Sequence, residues 1–421
     1  MKFQKVKGME DLYPEDYAIW LAIAEKLRVV ARRFGFQEVD MPAVETMKTL
    51  AAKSGEEIKE QIFVFEKKGG EELGLRFDLT VPITRMFVAK QFDLPKPVKW
   101  FAVQKMWRYE APQKGRLREF SQLSAELFGS NKPEADAECI NLMIALFEAL
   151  GLTSKDFFIK INNRKLLEGL LLDFLPKSKL EAVERVIDKW TKISEEEFDT
   201  ELNKLKIDAT KRAQIKHVVE FNGDPEKVLS ELPKHFTLKG MAAEGAKELQ
   251  ALVKFVPKNY LKLDLSVARG LAYYTGNVYE CFDKEEKFRA LAGGGRYNDL
   301  VGLFGGSPAP ATGFAIGFAT LQLLLKEKKL LPKPDISPDY YIAPVNEDMI
   351  PKAVEIASKL RKKAVVDIDL QRRKLSKQFE FADSIGAKKV VIVGPKDIKE
   401  DKVTVRDMKT GKESKIKINA L

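Results

Sequence analysis

Residues 98–128 read VKWFAVQKMWRYEAPQKGRLREFSQLSAELF, and the parity of their side chains decides the fold. In an extended chain successive side chains point to opposite faces. Val98, Trp100, Ala102, Gln104, Met106, Arg108 and Glu110 therefore share one face, and Phe101, Val103, Trp107 and Tyr109 share the other. In a second strand, from Arg118 to Phe128, one face carries Phe120, Gln122, Ser124, Glu126 and Phe128. Between the two lies Ala111-Pro112-Gln113-Lys114-Gly115-Arg116, a basic, turn-forming loop. Two antiparallel strands joined in this way gather an arginine, two glutamates, a glutamine and an aromatic ring on one surface. Buried charges left unpaired are expensive, so such a face calls for a ligand. Arginine forks match phosphate oxygens bidentately, and an aromatic ring beside them suits a purine nucleotide. Arg116 and Arg269 each lie near a glycine or a strand edge and share that reading with Arg108. For any one arginine alone, a surface ion pair is the commoner role, and Arg108 with Glu110 could pair structurally.

Outward from this hairpin the organisation is legible in pieces. Residues 14–34 carry Ile19, Ile23, Leu27, Val30 and Phe34 at helical spacing, with Pro14 suited to the first turn and Gly35 to the C-terminal cap. Glu38–Pro42 is an extended piece whose proline keeps it at an edge, either a dimer surface or plain packing. Asp78 and Thr80 share parity and could hold an ammonium group, or serve as a strand-end cap. Residues 165–258 lose strand alternation; Leu166–Phe174, Leu180–Trp190 and Phe236–Phe255 show helical spacing and predict a helical insertion. Alternation returns at Leu263, Leu265, Val267 and Arg269, Gly270 breaks it, and Tyr273–Phe282 is rich in strand formers. Extended backbone there would put Tyr273 and Tyr274 on opposite faces, so that one at most faces a pocket. Gly293-Gly294-Gly295 lacks the Lys-Ser/Thr of a P-loop, so a phosphate cradle and a close backbone approach to a small ligand are equally good readings. Gly313–Phe318 precedes a predicted helix at Ala319–Lys328. Pro332, Pro334 and Pro338 mark a linker to an alternation of strand Tyr340–Ala343, helix Glu347–Arg361, strand Ala364–Ile368, helix Ser376–Ile385 and strand Lys389–Val393, closed by a hairpin near Lys409-Thr410-Gly411. That order predicts a small parallel or mixed α/β domain. The basic run Arg372-Arg373-Lys374 with Lys377 is either a solvated helix face or a nucleic-acid contact.

Composition narrows the class. A chain of 421 residues suggests about three domains at roughly 150 residues each. At 45% hydrophobic and 32% charged, it is neither disordered nor fibrous. No run of about 18 apolar residues occurs, so no membrane span is expected. Met1–Lys5 runs straight into charged sequence without the apolar core of a signal peptide, which predicts a cytoplasmic protein. Two cysteines and two histidines are too few for a disulfide framework, a zinc cluster or a His-based metal site, and no metal ligands are expected. A net charge of +10 permits a polyanionic partner without requiring one.

Laid out in order, these segments resemble the histidyl-tRNA synthetase family of class II aminoacyl-tRNA synthetases over essentially the whole chain. Met106–Arg116 with Arg118–Gln122 is similar to the second class II motif. Ala268-Arg269-Gly270-Leu271-Ala272-Tyr273-Tyr274-Thr275 and Ala292-Gly293-Gly294-Gly295-Arg296-Tyr297 are similar to the two histidine-specific signatures, and Arg28–Glu45 to the first class II motif with its dimer interface. The resemblance implies an α+β fold: an antiparallel sheet flanked by helices in residues 1–164 and 259–330, a helical insertion at 165–258, and an α/β anticodon-binding domain at 335–421. It implies ATP-dependent ligation of L-histidine to tRNA(His) through a histidyl-adenylate, releasing AMP and pyrophosphate, in a homodimer that uses Mg²⁺. By position, Arg108 would hold the ATP α-phosphate and the histidine carboxylate, Glu110 the adenine amino group and Arg116 the distal phosphates, while Phe120 would stack on adenine. Asp78, Thr80 and Gln122 would bind the substrate ammonium, Glu126 with Tyr273 and Tyr274 would serve the histidine, and Arg269 would face the α-phosphate opposite Arg108. Gln113, Lys114 and Arg116 would meet the tRNA acceptor end. Departures are plain: Ala319-Thr320 stands where the third class II motif ends in Glu-Arg, Ala272 where Asp is frequent, and Ala111 where Arg is frequent. Arg116 with Mg²⁺ is then expected to carry the distal phosphates. The alternatives are a catalytically silent paralogue, such as a regulatory subunit of ATP phosphoribosyltransferase, which typically lacks the C-terminal domain, or an RNA-binding regulator.

Overall fold

Alternating apolar residues on both faces draw residues 98–128 into the two longest strands of the molecule. The computed structural model describes residues 3–52, 60–65, 70–113, 115–268 and 273–421. Two units are distinguished, the larger including Ile19–Pro332 and the smaller including Lys333–Leu421. Strands of the larger unit are β1 (Gln37–Glu38), β2 (Val44–Thr46), β3 (Val64–Phe65), β4 (Leu73–Leu75), β5 (Val98–Trp107), β6 (Glu119–Phe128), β7 (Phe157–Asn163), β8 (Asn222–Gly223), β9 (Leu261–Asp264), β10 (Asn277–Asp283), β11 (Ala292–Arg296) and β12 (Ala311–Gly317). Among the described residues nine of them form one sheet in the order β1-β5-β6-β12-β11-β10-β7-β9-β8, while β2, β4 and β3 make a small separate sheet. The β1–β5 and β7–β9 pairs are parallel and the other pairs of the large sheet antiparallel.

The parity reading holds in three dimensions. Phe101, Val103, Leu123, Ala125 and Leu127 enter one core, built with Ile23 and Leu27 of helix Pro14–Arg33 and with helix Pro133–Glu148. Val98, Trp100, Ala102, Met106 and Phe128 enter a second core on the opposite face, against Leu79, Ile83 and Phe87. Trp100 pairs with Glu126, Gln104 with Gln122 and Met106 with Phe120, so the polar residues of that face sit in one patch.

Three expectations change. Asp78 and Thr80 are not strand partners: a helix begins at Thr80, and an Asp78 carboxylate oxygen accepts the Val81 N–H at 3.0 Å, capping its first turn. Pro82 falls in that first turn, where its missing N–H costs nothing. Gly293–Gly295 is no phosphate cradle but the body of β11, between β10 and β12. A side chain on Gly294 would run into Phe314, with Cβ 2.6 Å away, so it is the close approach of the neighbouring strand that requires glycine there. Alternation at Leu263–Arg269 yields only the short β9, although Leu265 and Val267 remain buried.

Residues 164–253 contain six described helices: Arg164–Leu172, Lys177–Ile187, Glu195–Lys204, Ala209–Val219, Pro225–His235 and Gly240–Val253. Their apolar stripes join the first core of the sheet. Three of them escape a periodicity reading because they are polar; Glu195–Lys204 buries only Phe198 and Leu202. Their N-caps were visible all the same, with a Ser194–Glu197 capping box and Asp208 and Asp224 accepting backbone N–H groups.

The smaller unit holds β13 (Tyr340–Pro344), β14 (Val366–Ile368), β15 (Lys389–Val393), β16 (Lys402–Asp407) and β17 (Glu413–Lys417) in the order β14-β13-β15-β16-β17. The first three run parallel and the last two antiparallel, with helices Ile350–Leu360 and Leu375–Ser384 as crossovers. Gly411, at φ +71°, makes the expected hairpin turn.

Candidate active site

The second-core face of the sheet opens into a cavity of about 520 Å³. Asp78, Thr80, Arg108, Glu110, Arg116, Phe120, Gln122, Glu126, Tyr273 and Tyr274 all line it. Gln113 does not line it; it forms a bridge with Arg116 that closes the loop between β5 and β6. Arg269, with Gly270, Leu271 and Ala272 of its signature, and Lys114 lie outside the described residues.

Arg108 continues β5, its N–H bonded to the Arg118 carbonyl at 2.9 Å. Its Nε donates to the Phe77 carbonyl at 2.9 Å, and its guanidinium lies 5.3 Å from the centre of the Phe120 ring. Burial pulls its pKa below the ordinary arginine value; Asp78, Glu110 and Tyr273 oppose that pull and Arg116 adds to it. Arg116 pairs with Glu110 through its Nε. Four carboxylates, Asp78, Glu110, Glu126 and Asp188, and three guanidiniums thus share one cavity; Asp188 and the third guanidinium, Arg289, are residues that sequence reading did not single out.

Glu126 is the most deeply set acid of the site, 1% exposed. Its carboxylate accepts the Thr80 hydroxyl at 2.8 Å, the Ser124 hydroxyl at 2.9 Å and the Tyr297 hydroxyl. Thr80 therefore serves Glu126 in this structure. Ser124 shares the parity of Gln122 and Glu126 and could have been found on that ground; Tyr297 stood inside a quoted signature without a role. Burial first, and then the charge of Glu126, hold the Tyr297 phenol well above its ordinary pKa. Tyr273 and Tyr274 both face the cavity, with hydroxyls 3.3 Å apart and ring centres at 4.5 Å. The expectation that only one could do so fails because β10 starts at Asn277 and the preceding residues turn.

Glycine at 313 makes room for the acid. A Cβ there would lie 2.6 Å from the Ala125 carbonyl oxygen and 2.8 Å from the Glu126 carboxyl carbon. Gly313→Ala should destabilise the protein by about 1–3 kcal/mol in urea unfolding, because overpacking falls on the backbone of Ala125 and the buried carboxylate of Glu126. An unchanged unfolding midpoint would count against that reading of Gly313.

Residues 8–321 match the family described as histidyl-tRNA synthetase, and residues 339–421 match the anticodon binding domain. A histidine–tRNA ligase from Haloarcula marismortui is 38% identical over 99% of this chain and 96% of its own length. One from Pyrococcus horikoshii is 39% identical over 99% of this chain and 97% of its own. Among solved structures, histidyl-tRNA synthetase from Nostoc sp. PCC 7120 superposes with a TM-score of 0.82 at 26% identity, covering 100% of this chain and 98% of that one. Sheet, cavity and matches together define a class II aminoacyl-tRNA synthetase catalytic core followed by an anticodon-binding module. The chain belongs to the histidyl-tRNA synthetase family.

Proposed function

We propose that this chain ligates L-histidine to tRNA(His) with ATP, by way of a histidyl-adenylate. The histidine carboxylate attacks the α-phosphorus, the bond to the bridging oxygen breaks and pyrophosphate leaves. The adenylate then gives its acyl group to a hydroxyl of the terminal tRNA ribose, releasing AMP. No side chain need act as nucleophile; positioning two anions against each other and neutralising the developing charge supplies the acceleration. Arg108 takes the α-phosphate and the amino-acid carboxylate, Arg116 the distal phosphates, Phe120 and Glu110 the adenine, and Asp78 with Gln122 the ammonium. Glu126 with Tyr274 recognises the imidazole, and Arg269, by its place in the signature, would serve the α-phosphate. The observation that carries this reading is the meeting of Arg108, Phe120 and Glu126 in one cavity of the sheet face.

Mg²⁺ would enter with the nucleotide. Among the described residues no group of three or more His, Cys, Asp or Glu side chains forms a metal cage. A hard cation of this kind would be held chiefly through the substrate phosphates. A homodimer is supported by β1, an edge of the large sheet next to helix Pro14–Arg33. We place the enzyme in the cytoplasm, where charging of tRNA proceeds; no helix among the described residues is long and apolar enough to cross a membrane. RNA contact by the smaller unit rests on its fold. In the basic run, Arg373 lies ahead of helix Leu375–Ser384 and is held at 2.7 Å by the buried Asp369, whereas Lys377 pairs with Glu380 on the solvated face of that helix.

The silent-paralogue alternative is not favoured: the full-length relatives are ligases, and the C-terminal unit that such paralogues were expected to lack is present. Histidine-dependent exchange of labelled pyrophosphate into ATP decides the matter. Exchange is expected with histidine and not without it, and no exchange under either condition would remove the synthetase reading.

A further inference from the structure

Where the third class II motif supplies a guanidinium, this chain has Ala319 and Thr320, both on the cavity wall. Thr320 is 8% exposed and faces the loop between β5 and β6, with its hydroxyl 3.7 Å from where a Cβ on Gly115 would stand. That close approach leaves the loop, rather than a long side chain, occupying the space. The positive charge lost there has a counterpart elsewhere on the cavity wall.

Arg289 lies in the turn between β10 and β11 and lines the same cavity as Arg108 and Arg116. Its backbone is fixed from both sides. The Asp283 carboxylate accepts the N–H groups of Lys287 at 3.0 Å and Phe288 at 2.9 Å, and the Leu291 N–H bonds to Cys281 at 2.8 Å. The Leu291 carbonyl in turn accepts the Gly317 N–H at 3.2 Å. The turn that carries Arg289 is thereby tied to the residue that opens helix Phe318–Glu327, on which the motif arginine would have stood. Among the described residues the Arg289 guanidinium makes no hydrogen bond or ion pair, and the side chain is solvent-exposed. Partial burial and the neighbouring charges of Arg116 and Arg108 lower its pKa, while Glu110 alone opposes them. A guanidinium set beside two others, with the Glu110 carboxylate that favours its charge already paired to Arg116, is an arrangement that a polyanion relieves.

We propose that Arg289 binds the β- and γ-phosphates of ATP in place of the missing third-motif arginine, a role that rests on the synthetase reading above. It is a binding residue at the pocket mouth, reached from a different strand connection than the usual one, and it shares the distal phosphates with Arg116. Its contact belongs to the triphosphate tail, so it should distinguish ATP from AMP.

The test uses the full chain and its Arg289→Ala and Arg289→Lys variants, with nucleotide affinity measured by calorimetry and KM values by pyrophosphate exchange. One charge-assisted contact predicts a rise of about 10- to 100-fold in the ATP KM and dissociation constant for Arg289→Ala. The AMP affinity and the histidine KM should stay within about twofold, and Arg289→Lys should recover part of the loss because it keeps the charge without the fork. Unchanged ATP affinity in Arg289→Ala, or equal losses for ATP and AMP, would overturn the assignment while wild-type exchange keeps the synthetase reading intact. Absence of histidine-dependent exchange in the wild-type chain would overturn both.

Discussion

Arg108→Ala is expected to lower kcat/KM for histidine-dependent pyrophosphate exchange by about 10³-fold, the scale set by removing one preorganised donor to developing charge or one arginine from phosphoryl transfer. Three features of the structure make the effect large. Its Nε is anchored to the Phe77 carbonyl at 2.9 Å, so one edge of the guanidinium is committed and the fork is aimed before any ligand arrives. The group is deep in the fold, where its charge is screened less than at the surface, and burial has already drawn its pKa down. It also touches both halves of the reaction in this reading, so its loss should appear in kcat as well as in both KM values. Arg108→Lys should regain less than about tenfold, because an ammonium replaces neither the Nε anchor nor the bidentate fork. Removing the guanidinium leaves Asp78 and Glu110 with less compensating charge, so urea unfolding of both variants should be measured beside the kinetics. A variant that folds normally and keeps kcat/KM within tenfold of the wild type would remove Arg108 from the chemistry.

The hairpin that carries Arg108 was readable because period-two alternation was strict and its two faces enter different cores. The same rule gave Phe120, Gln122 and Glu126 to one surface, and the cavity opens there. Parity failed where the backbone was not extended. Asp78 and Thr80 lie at a helix start, and a residue pair two apart gives no means of telling that from a strand; Pro82 was the overlooked cue. Tyr273 and Tyr274 precede β10, and a turn brings both rings to one side. Arg289 left no trace in the sequence because it closely follows a charged stretch, Asp283-Lys284-Glu285-Glu286-Lys287, that reads as an ordinary solvated turn. Only the pairing of β10 with β11 and of β11 with β12 brings that turn to the helix start at Phe318. Local patterns thus specified strands and faces, while neighbours brought together by sheet order lay beyond them.

Glu126→Gln is expected to reduce kcat/KM for histidine by roughly 10²–10³-fold, as a site built to bond a polar group loses its charge and its matched partner. The loss should fall on the histidine KM, with the ATP KM little changed, because Glu126 sits among Thr80, Ser124 and Tyr297 rather than beside Arg116. All three hydroxyls donate to the carboxylate, an arrangement that suits an acceptor-only group. An amide places two N–H donors where donors already point, so one of those hydroxyls must rotate or lose its bond. The charge matters for the ligand too: in the proposed reading an imidazole N–H makes a charge-assisted bond to Glu126 that apolar or acceptor-only side chains of similar size cannot make. Stability should also fall, by about 1–3 kcal/mol for a buried polar group left without its partner. Tyr297→Phe separates the two effects. It removes one donor while leaving the charge, so it should cost less than about tenfold in kcat/KM, with a stability loss of similar size to that of Glu126→Gln. If Tyr297→Phe were instead as damaging to histidine KM as Glu126→Gln, recognition would lie in the position of the carboxylate rather than in its charge.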